Sequence, residues 1–347
     1  MARKTKAVAM VSGGLDSTLA VKMMVDQGID VHGVMFVTGF CYADPRRPKK
    51  RTRTGKRPEQ NEALRAGRQT ETSITMEDIS EEYLQDVVVN PKFGYGSAIN
   101  PCIDCRIFML KKAKKYADAI GAPFIITGEV LGQRPMTQHF KTLRLIEKES
   151  GLTKLILRPL SGKLLPPTLP EEEGWIDREK LQDISGRSRH KQMALAVELG
   201  IDDYPQPAGG CCFLTDQNYA LRLKDLFKYR DSASLTLNDM ILLKVGRHFR
   251  INENLKVIVG RDEAENNFLT NFLKGRWAFE AVDVSGPLTV AEGEVRDEDI
   301  PIIAAITARY SDGKNQPAVR VHYRDEKKVG EIEIEPIKNG TLDNWRL

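Results

Sequence analysis

The chain of 347 residues has neither a G-x-x-x-x-G-K-S/T loop nor a G-x-G-x-x-G fingerprint. Their absence sets aside the Walker and dinucleotide-binding loops. Nor does any apolar run approach the roughly 20 residues that a membrane-crossing helix needs. The N-terminal apolar stretch covers a few residues and runs straight into a glycine turn, so it reads as a core strand and not a signal peptide. A cytoplasmic protein with no membrane partner is the resulting expectation. The five histidines are scattered without ligand-like spacing, and five cysteines in that compartment do not form a structural disulfide framework. A net charge of +4 is too small to prove a nucleic-acid partner by itself.

What is present begins at residue 12. The apolar run Ala7-Val8-Ala9-Met10-Val11 leads into Ser12-Gly13-Gly14-Leu15-Asp16-Ser17 and then a helical pattern. A strand, a glycine turn and a helix start in that order leave orphan N–H donors and the positive end of a helix dipole facing an anion. Gly13 and Gly14 allow close approach of the backbone, and Ser12 and Ser17 add hydroxyl donors. This is a phosphate cradle, and it implies a nucleotide.

The length implies two or three domains. Strand-like Lys6–Val11, a helix over 17–27, strand-like 31–38, mixed helix and strand over 77–86, a helix over 104–120 closed by Gly121, and strands over 124–127 and 155–158 alternate in the α/β manner. They predict a parallel sheet with helices on both faces, its ligands at the carboxyl ends of the strands. A further helix is predicted over 177–199, carrying Arg178, Arg187, Arg189 and Lys191, and a basic helix over 219–229. From about Leu235 short β-like runs alternate with turns, which predicts a smaller α+β domain. The boundary is placed at 232/233, giving domains 1–232 and 233–347.

Charge is concentrated in one segment, the loop over 44–68. Arg46, Arg47, Lys49, Lys50, Arg51 and Arg53 stand there without apolar periodicity. Such loops grip phosphodiester backbones without reading sequence, so these residues are the candidate RNA contacts.

The cysteines carry the second signal. Cys102-Ile103-Asp104-Cys105 is a C-x-x-C at a predicted helix start after Asn100-Pro101, where the dipole favours thiolate. Cys211-Cys212 lies in the turn over 205–216, after Gly209-Gly210. Adjacent cysteines suit zinc poorly. Cys102, Cys105 and one of Cys211 or Cys212 fit either a [4Fe-4S] cluster with an open iron or a sulfur relay through a persulfide. Cys41, following Phe40 in a strand-exit loop, reads as an inert buried thiol.

Ser12–Ser17 resembles the PP-loop of the ATP pyrophosphatase superfamily, whose members adenylate a substrate and release pyrophosphate. Asn100–Cys105 resembles the N-P-x-x-x-C of the tRNA-uridine 2-thiolases, which puts a catalytic cysteine at Cys105. Gly210-Cys211-Cys212-Phe213 resembles their G-x-C-F element, which puts the second at Cys212. Thr127–Gln133 followed by Gln138 is similar to the 4-thiouridine synthetases, and Val257–Asn267 resembles the G-R-x-x-x-x-N signature of the NFACT-R RNA-binding module. Cys102 stands where 2-thiolases commonly have an acidic residue. That departure makes the site similar to cluster-dependent thiolases, with Cys102, Cys105 and Cys212 as ligands.

The resemblance implies an ATP-dependent tRNA sulfurtransferase using ATP, Mg²⁺ and a sulfide or persulfide donor. Ser12, Gly13, Gly14 and Ser17 would hold the phosphates and Asp16 would place Mg²⁺ or the loop. Met35 and Phe36 would pack on adenine, and Gly128 and Gln133 would complete the pocket. A PP-loop ligase or amidotransferase acting on RNA, or a non-catalytic RNA-binding adaptor, are the alternatives.

Overall fold

The run Ala7–Met10 is apolar throughout because its strand, β1 (Lys6–Met10), is covered on both faces. In the computed structural model, residues 4–42, 62–205 and 211–347 are described. The expected RNA contacts from Arg46 to Arg53, with Gly209 and Gly210, lie outside the described residues. The chain divides into two units, one holding the described residues up to Leu214 and the other those from Thr215 onward.

In the first unit β1 is followed by α1 (Leu15–Asp26), β2 (Asp30–Val37), α2 (Glu62–Gln69), β3 (Ile74–Asp78) and α3 (Ser80–Tyr83), which runs into a π-helical turn over Leu84–Val89. Then come α4 (Cys102–Ile120), β4 (Phe124–Thr127), α5 (Phe140–Ser150), β5 (Ile156–Leu157), α6 (Leu169–Glu172) and α7 (His190–Glu198). The strands form one sheet in the order β3-β2-β1-β4-β5, and every pairing is parallel. Successive strand residues point to opposite faces. Ala7, Ala9 and Met35 therefore pack with Leu19, Met24 and Ala196 on one side. Val8, Met10 and Phe36 pack with Leu110, Ala113 and Ile146 on the other. The chain order reverses between β1 and β4, so the loops leaving these two strands diverge at the carboxyl edge and open a crevice.

The second unit contains α8 (Gln217–Tyr229), α9 (Leu237–Leu242), β6 (Arg247–Asn252), β7 (Leu255–Val259), α10 (Glu263–Leu269), β8 (Trp277–Ala281), β9 (Thr289–Gly293), α11 (Ile300–Arg309), β10 (Val319–Arg324) and β11 (Val329–Ile334). Its sheet runs β11-β10-β8-β9-β7-β6, antiparallel at each pairing. Helix α11 supplies Ile303, Ala304 and Ile306 to a core with Phe249, Val257, Phe279 and Val321. The expected fold class, a parallel α/β domain followed by a smaller α+β domain, is what the chain adopts. Helix α8 precedes the expected 232/233 boundary and hydrogen-bonds within the second unit, Tyr219 Oη donating to the Met240 carbonyl at 3.1 Å. Among the described residues no helix is long and apolar enough to cross a membrane.

Two local expectations are corrected. The helix predicted over 177–199 exists only as α7. Before it, a short 3-10 turn over Arg178–Lys180 is capped by Asp177. The chain then runs extended, burying Leu181 and Ile184, with Ile184 N donating to Leu160 O and Gly186 N to Leu131 O. Gly186, at φ +83°, ends any helical continuation. Likewise, the end of the expected basic loop is α2, which begins at Glu62.

Candidate active site

The turn after β1 is built by its own hydroxyls. Ser17 Oγ donates to Gly14 O at 2.9 Å, Thr18 Oγ1 donates to the same carbonyl at 3.1 Å, and the Ser12 and Ser17 hydroxyls are 3.2 Å apart. Gly13 adopts φ +77°, and a Cβ there would collide with the backbone of Glu62 at the start of α2. Gly128, just past β4, presses onto Asp16 and Ser17 so closely that a Cβ would strike their backbone. Only glycine permits that approach.

Asp16 is held from one side. Gln133 Nε2 donates to its Oδ2 at 2.7 Å, Gln192 Nε2 in turn donates to Gln133 Oε1 at 3.0 Å, and Arg189 Nη2 stands 3.9 Å from Oδ2. The other carboxylate oxygen, Oδ1, is buried without a hydrogen-bond partner. A buried carboxylate oxygen left without a partner is costly, and it fits a divalent cation such as Mg²⁺. Met35 and Phe36, neighbours on β2, point to opposite faces and are both buried in the cores described above.

The thiols come from three segments. Cys102 and Cys105 open α4. Asp104 between them accepts from the backbone N–H groups of Lys92 and Phe93 at 2.9 and 3.0 Å, fixing the loop that leads into the helix. Asn100 Nδ2 lies 3.1 Å from Cys102 Sγ and 3.1 Å from Met136 Sδ. Cys105 is hydrogen-bonded to the phenol of Tyr83, a buried ring packed between Phe40 and Phe108.

The expected thiolate character of the helix start is not found. Burial pushes Cys105 up to about 12 despite the Tyr83 hydrogen bond, and burial likewise raises Cys102. Desolvation of a thiolate outweighs the helix dipole here. The lowered thiol is Cys211, the exposed one. Its hydrogen bond with Cys212, aided by Arg134 and Arg106, lowers it below the ordinary thiol value. Cys212 is correspondingly raised, because a neighbouring thiolate disfavours a second charge.

Cys41 is not the bystander its sequence context suggests. It pairs with Cys212 across a two-residue antiparallel bridge. Cys41, Cys105 and Cys212 act electrostatically on one another, and Cys211 acts on both Cys102 and Cys105. The sequence-predicted Cys102, Cys105 and Cys212 are thus brought together, with Cys41 and Cys211 added.

The thiols do not fit a metal cluster as placed. Among the described residues no three His, Cys, Asp or Glu side chains are disposed to hold one metal ion. The sulfurs are instead engaged by Asn100, Tyr83 and each other.

The Ser12–Ser17 turn and the thiols meet through the loop after β4. Gln133 reaches Asp16, while the next residue, Arg134, acts on Cys102 and Cys211. A buried ion network lies beneath. Glu129 pairs with Arg106 at 3.2 Å and with Arg158 at 2.9 Å, and Arg158 pairs with Glu147 at 2.5 Å. Burial raises the Glu129 carboxyl, but the two guanidiniums win and hold it below its ordinary value. Sequence reasoning missed Tyr83, Arg106, Glu129, Arg134 and Arg189 as site residues. Glu129 lies within the Thr127–Gln133 motif, Arg134 directly follows it, Arg106 directly follows Cys105 and Arg189 stands on the predicted helix; Tyr83 left no local signal.

The fold and site define a parallel α/β unit in which one loop, after β4, links the glycine turn after β1 to a cluster of thiols. Residues 2–163 match the family model of the thiamine biosynthesis protein ThiI, and residues 246–346 match that of the NFACT protein RNA binding domain. Both resemblances read from the sequence are thereby shown. A probable tRNA sulfurtransferase of Thermococcus kodakarensis is 27% identical over 180 residues, covering 52% of this chain and 40% of the relative. The tRNA-specific 2-thiouridylase MnmA of Listeria monocytogenes is 21% identical over 253 residues, covering 70% and 61%. The chain thus spans 40% and 61% of the length of these two relatives. A 4-thiouridine synthetase–RNA complex with bound ATP superposes with a TM-score of 0.33 at 20% identity, covering 57% of this chain and 52% of that one.

Proposed function

We propose that the protein is an ATP-dependent tRNA sulfurtransferase that converts a uridine carbonyl to a thiocarbonyl. The observation that carries this reading is the adjacency of Gln133, bonded to Asp16, and Arg134, acting on Cys102 and Cys211. Consecutive residues of one loop serve the nucleotide turn and the thiols, which is what a reaction with an adenylated intermediate and a sulfur nucleophile requires. The ThiI and NFACT matches and the names of the relatives support the same substrate class.

In this mechanism Ser12, Gly13, Gly14 and Ser17 would hold the phosphates of MgATP, and the Asp16 carboxylate would hold Mg²⁺, which would neutralise phosphate charge. The uridine oxygen attacks the α-phosphorus and pyrophosphate leaves. Positioning and charge neutralisation supply most of the acceleration. Sulfur handled by Cys105 and Cys212 then displaces AMP, the exposed Cys211 thiolate marking the side from which a persulfide carrier approaches. The target base is unstacked to reach the site. The basic residues from Arg46 to Arg53 carry the concentrated positive charge of the sequence. Backbone phosphates of tRNA are their proposed partners, with the NFACT-type unit as a second RNA surface.

Mass spectrometry of tRNA nucleosides from a deletion strain, complemented by wild type, Asp16→Asn or Cys212→Ser, tests the proposal. Loss of one thiouridine, restored by wild type alone, is expected. Full restoration by Cys212→Ser favours a ligase or amidotransferase, and full restoration by Asp16→Asn favours an adaptor; either overturns the reading.

A further inference from the structure

Cys41 and Cys212 face each other as the non-hydrogen-bonded pair of an antiparallel bridge. The flanking bonds define the pair: Phe213 N donates to Phe40 O at 2.9 Å and Tyr42 N donates to Cys211 O at 3.3 Å. Residues so paired have Cα atoms about 4.5 Å apart with their side chains close, within the span of about 4.4–6.8 Å that a disulfide accepts. The register is held from both sides. Phe40 is fully buried against the Tyr83 ring, and the Tyr42 and Phe213 rings lie 4.6 Å apart. The Cys41 thiol is oriented by Thr38, whose hydroxyl is 3.2 Å away. Cys105, by contrast, sits on α4 with its sulfur engaged by Tyr83. The vicinal Cys211 would need a strained ring to bond Cys212.

We infer that Cys41 is the resolving thiol of the sulfur-transfer step, closing a disulfide with Cys212 when the thiolated base is released. This rests on the sulfurtransferase reading above and assigns a partner within it. A protein persulfide donor loads Cys212 with a sulfane sulfur. That terminal sulfur attacks the adenylated carbonyl carbon, a C–S bond forms, the C–O bond to AMP breaks, and the base is left joined to Cys212 through S–S. Cys41 Sγ gives up its proton and attacks Cys212 Sγ. The S–S bond to the base breaks with its electron pair going to the base sulfur, which takes the proton equivalent and becomes the thiocarbonyl. Two thiols are oxidised, the sulfane sulfur is reduced, and a dithiol reductant resets the pair.

The test is a single turnover of the full chain with MgATP, unmodified tRNA and a persulfide-loaded carrier protein, without reductant. After quenching with N-ethylmaleimide, disulfide-linked peptides are mapped. A Cys41–Cys212 link in proportion to the thiouridine formed is expected. With Cys41→Ser, pyrophosphate is still released, free thiouridine falls by roughly tenfold or more, and added dithiol restores it by cleaving the trapped adduct. A Cys105–Cys212 link, or undiminished thiouridine from Cys41→Ser without dithiol, overturns the assignment while leaving the sulfurtransferase reading intact. Absence of tRNA-dependent pyrophosphate release by wild type overturns both.

Discussion

Arg106 Nε lies 3.2 Å from Glu129 Oε1, and each residue adjoins a different part of the candidate site. Arg106 follows Cys105 on α4; Glu129 follows Gly128, which is pressed against Asp16 and Ser17. Glu129 is 1% exposed and is shared with Arg158, 2% exposed, so the network is a buried strut between the Ser12–Ser17 turn and the thiols. Removing one member of a buried ion set leaves uncompensated charge. Glu129→Gln is expected to destabilise the first unit by about 3 kcal/mol. Urea unfolding of the variant against wild type measures this, with the midpoint moving to lower denaturant.

Asp16 offers one oxygen to Gln133 and keeps the other buried without a hydrogen-bond partner. Asp16→Asn retains an acceptor for Gln133 but removes the charge. Pyrophosphate release is expected to fall by about two orders of magnitude, a loss typical of a deleted charge-stabilising group, while the thermal midpoint stays close to wild type. A coupled pyrophosphate assay and a thermal melt separate the two effects. A variant that releases pyrophosphate at the wild-type rate would show that Asp16 places neither metal nor loop.

Much of this site was legible in the sequence, and the rest was hidden for identifiable reasons. Ala7–Val11 and Phe124–Thr127 are short, wholly apolar and bounded by turns, so both read correctly as strands of a parallel sheet. Ser12–Ser17 stood out because strand, glycine turn and helix follow one another within a few residues. The pairing of Cys41 was hidden because its partner, Cys212, is remote in sequence and the bridge is too short to leave a periodic pattern. Leu181 and Ile184 fit a helical spacing, yet they are buried from an extended chain tied to Leu160 and Leu131. The thiolate expected at Cys102–Cys105 failed because position at a helix start is visible in sequence whereas burial is not.

Cys211 is exposed and lowered below the ordinary thiol value, chiefly by its hydrogen bond with Cys212. A thiol is reactive as its thiolate, so Cys211 is expected to react at lower pH than an ordinary thiol, which gains reactivity only towards about 8.5. Iodoacetamide at pH 6 is therefore expected to label Cys211 before Cys105, which burial holds protonated. In Cys212→Ala the hydrogen bond is gone and the Cys211 labelling curve moves to higher pH. Peptide-level mass spectrometry at a series of pH values reads both, and identical curves for the two proteins would show that Cys212 does not set the acidity of Cys211.

Lys256 in the second unit makes the last case. It stands on β7, 2% exposed, with its ammonium 3.8 Å from Asp225 and no hydrogen-bond partner. Burial lowers it from 10.5 to about 8, although Asp225 and Glu292 favour the charge. The sign follows from proton counting. Between pH 8 and 10.5 the unfolded chain holds a proton on this lysine that the folded one has lost. Stability due to this group therefore rises with pH across that window, by about 3 kcal/mol in all, and below it the buried charge is a standing cost. Lys256→Met keeps the length and apolar stem of the side chain and removes the ammonium, leaving Asp225 paired with Arg250 at 2.6 Å. The variant is expected to match or exceed wild-type stability at pH 7, with its advantage shrinking as pH approaches 10. Denaturant unfolding of both proteins at pH 7, 8.5 and 10 measures the difference, and a gap that widens with pH would mean that Lys256 is stabilised, not strained, by its surroundings.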